Sequence, residues 1–110
     1  MPDAWLLVAS RPPAPHTGDV WTDAAALRRT GAQVTVLATD DVCAEAVLGL
    51  DSVPDAAAAG VRVVVDGHAA ARRNLGHRLA ASAGRHGPIA AADEDIAALL
   101  LDPGVRTVWR

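Results

Sequence analysis

Cys43 is the single cysteine of the chain, and it closes the run Thr39-Asp40-Asp41-Val42-Cys43 just after an apolar segment, Gln33–Ala38. Strand ends that lead into helices are where α/β proteins place ligand and catalytic groups. A thiol at such a point is either a nucleophile or a small buried hydrophobe. As a nucleophile it needs its thiolate, and an ordinary thiol is only about a few per cent ionised at neutral pH. A helix N-terminus favours the thiolate by about 0.3–1 kcal/mol. Against that, Asp40, Asp41 and Glu45 lie close in sequence, with no Arg, Lys or His among them. A like charge that raises the pKa by about one unit removes about 1.4 kcal/mol. Two such neighbours outweigh the dipole, so the sequence predicts an unactivated thiol unless the fold brings His16 or an Arg over it.

A second group is Asp66-Gly67-His68. Gly67 permits a tight strand-to-helix turn, and His68 at a helix start has the chemistry of a hydrogen-bond donor or general base. The plainer reading makes Asp66 an N-cap and His68 an exposed first-turn residue. Ser10, Arg11 and His16 lie on or beside a proline-rich loop, and with Asp40, Asp41, Asp66, Gly67 and His68 they form the candidate ligand-binding set. No metal site is expected. The four histidines, His16, His68, His77 and His86, lack short ligand spacing, and one cysteine cannot anchor a structural zinc. Neither common phosphate-cradling glycine pattern is present, and no cofactor is expected.

Composition narrows the classes further. All ten basic residues are Arg, so Schiff-base chemistry on lysine has no residue to use. Net charge is −3, which argues against general phosphate-backbone binding. The Arg72, Arg73, Arg78 and Arg85 cluster reads as a solvated helix face. A lone cysteine fits a reducing cytosol and gives no intrachain disulfide. No apolar run approaches the ~20 residues of a membrane span, and the start of the sequence lacks the pattern of a signal peptide. A small soluble cytoplasmic protein is the expectation.

These residues need a scaffold, and the sequence alternates strand-like and helix-like segments throughout. With 110 residues there is material for one domain and one core. The core must be aliphatic, because Trp5, Trp21 and Trp109 are the only aromatic residues. Strands are predicted at Ala4–Ala9, Gln33–Ala38, 61–65, Ile89–Ala91 and 105–109, mostly apolar, with Ala4–Ala9 a continuous apolar run of the kind covered on both faces. Helices are predicted at 20–30 with Asp19 as N-cap and Gly31 at C′, after Cys43 up to Gly49, and at 54–59 ending at Gly60. A further helix carries the Arg pair and is interrupted near Gly76, and a last one, 94–101, is capped by Asp93. Residues 10–19 read as a loop and Asp102-Pro103-Gly104 as a turn. The result is an α/β, flavodoxin-like three-layer sandwich with a mostly parallel sheet of about five strands. In the flavodoxin-like order the crevice lies between the first and third strands, beside Asp66, Gly67 and His68. Trp21, near a helix start, is expected to be partly exposed, and Trp109 with the final helix to lie in the core or a subunit interface.

Three segments resemble the DsrE/TusBCD sulfur-relay superfamily, small flavodoxin-like proteins that pass persulfide sulfur along a chain of proteins. Ala38-Thr39-Asp40-Asp41-Val42 resembles the aspartate-rich turn after the second strand. Val63-Val64-Val65 followed by Ala69-Ala70-Ala71-Arg72-Arg73-Asn74 resembles the third strand and the helix ending in Arg-Arg-Gly. The tail, from Ile89 through Asp93, Ile96, Leu99 and Leu100 to Val108-Trp109, resembles the closing helix and Trp-ended strand, and leans toward the DsrH/TusB-like branch. The resemblance implies a homo- or hetero-oligomer of related small subunits, with a sulfur donor or acceptor protein as partner. It also implies an acceptor cysteine just after the third strand, a position occupied here by Asp66. An aspartate holds no persulfide. The resemblance thus implies a non-catalytic or accessory component of a persulfide relay, with Cys43 the only atom available as a sulfur acceptor. A small-ligand-binding or regulatory module using the crevice is the alternative reading.

Overall fold

The computed structural model describes residues 3–11, 19–50, 52–82 and 87–110. The chain folds as β1 (Ala4–Ala9), α1 (Val20–Arg29), β2 (Gln33–Ala38), α2 (Val42–Leu48), α3 (Val53–Ala59), β3 (Arg62–Asp66), α4 (Gly67–Arg72), α5 (Gly76–Ser82), β4 (Ile89–Ala91), α6 (Asp93–Leu101) and β5 (Arg106–Trp109). The fold is α/β, with a single five-stranded, all-parallel sheet in the order β4-β3-β2-β1-β5. Helices lie on both faces, as in a flavodoxin-like three-layer sandwich.

The layers follow from winding. Each step from β1 through β4 moves to the adjacent strand in one direction, and right-handed crossovers put α1 to α5 on one face. The step from β4 to β5 runs back across the sheet to its other edge, so α6 lies on the opposite face. Burial mirrors this division. On the α1–α5 side Leu7, Ala9, Val34, Val36, Ala38, Val63 and Val65 pack with Trp21, Val42, Cys43, Ala69 and Ala70. On the other side Leu6, Val8, Leu37, Val64 and Ala91 pack against the partly buried Ile96, Leu99, Leu100 and Val105.

Local signals are in place at the helix ends. The Asp19 carboxylate accepts the Trp21 N–H at 2.9 Å, and Gly60 closes α3 with φ near +100°, a backbone that L side chains rarely adopt. Asp93 is the first residue of α6 and not its cap. The cap is Ala92, whose N–H donates to the Asp95 carboxylate at 3.2 Å.

The expectation for Trp21 is overturned, and Trp109 does not lie in the core of the subunit. Trp21 is completely buried, because α1 turns it into the core alongside small Ala24 and Ala25, which leave room for an indole. Trp109 is 69% exposed, since β5 is an edge strand and its face is covered by one helix alone. Among the described residues no helix is long and apolar enough to cross a membrane.

Candidate functional site

Strand order relocates the crevice that the sequence predicts. β2 sits between β1 and β3, so the two strands are separated by about 10 Å, twice the inter-strand spacing. The reversal of winding, where an open sheet splays its connections, falls between β1 and β5. Ser10 and Arg11 follow β1 at that reversal, Ser10 half-buried and Arg11 exposed. Asp66, Gly67 and His68 do not lie there. They close β3, two strands away, and form a separate group with the residues that close β2. His16 and His86 lie outside the described residues, as does Arg85.

The β2–β3 group is tightly connected. One oxygen of the Asp66 carboxylate accepts the N–H groups of His68 at 3.0 Å and Ala69 at 3.3 Å. Its other oxygen accepts the Thr39 hydroxyl at 3.1 Å. Asp66 is therefore the N-cap of α4, satisfying donors that the helix's first turn leaves unpaired. His68 is exposed on the first turn. Gly67 has a different reason to be small: a Cβ there would stand 3.2 Å from the Ala91 carbonyl oxygen, so β4 approaches the strand-to-helix turn closely.

Asp40 and Asp41 are ion-paired. Arg72 reaches Asp40 at 3.8 Å and Arg73 reaches Asp41 at 3.2 Å, joining the end of α4 to the β2–α2 turn. The expectation that these arginines form a simple solvated face is corrected for this pair. The fold places α4 beside α2, which sequence separation conceals. Asp40 adopts the left-handed conformation with φ near +49°, a region that Asp tolerates better than most residues. Both pairs are largely solvent-exposed, and each contributes less than about 1 kcal/mol.

Cys43 lies beneath this layer, on the first turn of α2 and fully buried. Its S–H donates to the Ala38 carbonyl at 3.4 Å, across the strand-to-helix turn. Burial pushes the thiol from its ordinary 9.0 up to about 11. The Asp66 carboxylate adds to the rise, Arg73 opposes it, and smaller contributions come from Asp40 upward and Arg72 downward. The fold does bring two arginines toward the sulfur, as activation would require, but desolvation and carboxylates outweigh them. The thiol is a core group.

Thr39 is the member of the cluster that its residue type did not single out. Its signal is positional, the first polar residue after a buried strand. Among the described residues no three His, Cys, Asp or Glu side chains stand close enough to hold a metal ion. Beside the cluster, a cavity of about 610 Å³ is bounded by Gly67, His68 and the segment Ala90 to Asp95. Comparison with protein-family models, curated proteins and solved structures finds no match.

Proposed function

We propose that the chain is a DsrE-like accessory component of a persulfide-relay assembly, one that does not itself carry sulfur. The observation that carries this reading is the pairing of Asp66 with Cys43. At the strand end where the resemblance expects an acceptor thiol there is a carboxylate, used up in capping α4 and bonding Thr39. The sole thiol of the chain is buried, with its pKa raised to about 11. Sulfur transfer to a cysteine proceeds by thiolate attack on the terminal sulfur of a donor persulfide, which releases the donor's thiolate and leaves a persulfide on the acceptor. A protonated, buried thiol cannot make that attack at neutral pH. The resemblance supports the family, and the parallel α/β scaffold is compatible with it. The chain would then act in an assembly with related subunits, contributing surface and not chemistry.

Mass spectrometry after incubation with a persulfide donor tests the reading. The native protein is expected to gain no sulfur on Cys43. In a Cys43→Ser background, Asp66→Cys is expected to gain one sulfur atom, and faster than a cysteine placed at exposed Ala80 on α5. Sulfur on native Cys43, or equal loading at positions 66 and 80, overturns the reading.

A further inference from the structure

α4 is lightly held. It spans six residues and buries only Ala69 and Ala70 fully, while His68, Ala71 and Arg72 are exposed. Few buried apolar contacts and exposed backbone bonds are the marks of a segment that opens locally. Its start is fastened by Asp66, one oxygen capping the helix and the other bonded to Thr39. Its end is fastened by Arg72 and Arg73, which reach Asp40 at 3.8 Å and Asp41 at 3.2 Å in the β2–α2 turn. The helix thus lies across the ends of β2 and β3, tied down at two polar points.

Backbone conformation marks the same place. Among the described residues Asp40 and Asn74 are the non-glycine residues with positive φ, near +49° and +56°. Asp40 receives Arg72, and Asn74 directly follows Arg73, so both adjoin the ion pairs. At Asn74 the left-handed turn closes α4. Its N–H donates to the Ala71 carbonyl at 3.1 Å, and the Leu75 N–H to the Ala70 carbonyl at 2.9 Å. Sparsely populated backbone that its surroundings hold in place gathers at segments that switch.

We propose that α4 is a strap, closed over the C-terminal ends of β2 and β3 by the Asp66 cap and the paired arginines, which opens as a unit between Gly67 and Asn74 while the sheet stays folded. Closed, it keeps the Asp66 carboxylate and the Thr39 hydroxyl bonded within the chain. Open, it presents both to solvent at the strand ends, where α/β sheets receive ligands. Ionic strength sets the balance, because both ion pairs are exposed and salt screens them, whereas salt does not weaken the aliphatic core. The other charges on the helices packed beside α4 are Glu45 on α2 and His77 and Arg78 on α5. Asp93, Glu94 and Asp95 share a cavity with His68 at the helix start. Nothing here depends on the sulfur-relay reading, which is judged on the loading of positions 43 and 66.

Amide hydrogen exchange of the full chain, followed by NMR at fixed pH and temperature, tests the strap. Native amides of Arg73, Asn74 and Leu75 are expected to be protected, yet to exchange about tenfold or more faster than those of β3. Raising salt from about 0.02 M to about 0.5 M is expected to speed them about threefold and to leave β3 unchanged. At low salt Asp41→Asn and Arg73→Gln are each expected to speed them about threefold, and the double variant no more than either alone. Urea denaturation checks that each variant folds, and the salt series on the native chain needs no variant. Exchange of α4 at the rate of β3, or at the unprotected rate, overturns the proposal. So does indifference to salt, or additive effects in the double variant.

Discussion

Cys43 shows how far a residue type in a promising place can be from chemistry. Its position at a strand-to-helix turn is legible in the sequence, and so is the surplus of nearby carboxylates. The ranking of causes is not, because burial and Asp66 act through space, and Asp66 lies on another strand. The same holds for Arg72 and Arg73, whose partners lie some thirty residues upstream. The raised pKa has a consequence for stability. A group whose folded pKa lies above its unfolded value favours the protonated native state, so its contribution is complete below the unfolded value and is lost as pH rises through the folded one. Here that window runs from 9.0 to about 11. We expect the melting temperature of the native protein to fall across that window more steeply than that of Cys43→Ala. At pH 8, alkylation of Cys43 by iodoacetamide is expected to be slow in the native state and rapid in urea. Equal slopes, or rapid native alkylation, would show an accessible thiol.

At the scale of elements, the sequence is most legible where the signal is local. Short segments rich in aliphatic residues between turn residues predict all five strands, within one or two residues of their observed bounds. Gly31, Gly49 and Gly60 end their helices in the left-handed conformation, as expected of glycine after a helical pattern. The break between α4 and α5 came where Gly76 predicts it. Asp93 reads as a cap because Asp is common there, whereas the backbone uses Ala92 and lets Asp95 reach back. α4 is only six residues long, too short to hold its shape by propensity, so its start depends on Asp66. Asp66→Ala removes two backbone bonds and the Thr39 contact. It is expected to lower unfolding free energy by about 1–2 kcal/mol, read from urea denaturation. Asp66→Asn keeps a side-chain acceptor at the cap and is expected to lose less. A loss for Asp66→Ala within error of zero would mean that α4 is held by packing alone.

The whole molecule was the least legible scale. Fold class follows from alternation, but the order of strands depends on which neighbours each strand finds, and no residue pattern here encodes that. The crevice predicted between β1 and β3 failed for this reason: winding in single steps inserts β2 between them. The same winding leaves the two faces unequal, and their dynamics should differ. Amides of β1 and β2, central and covered on both sides, are expected to exchange hydrogen slowest, while those of α6 exchange through local opening well before global unfolding. Exchange of α6 as slow as that of β2 would contradict the thin packing described above. Unequal layers also carry a consequence for biosynthesis. Everything on the α1–α5 face is contiguous in sequence with the strands it shields, and can close as the chain emerges from the ribosome. The cover for Leu6 and Val8 is made only after β4, so an apolar surface laid down at the outset waits for residues 93–109. During that interval the nascent chain is open to misassociation, and the interval is set by topology, whatever the stability of the finished protein.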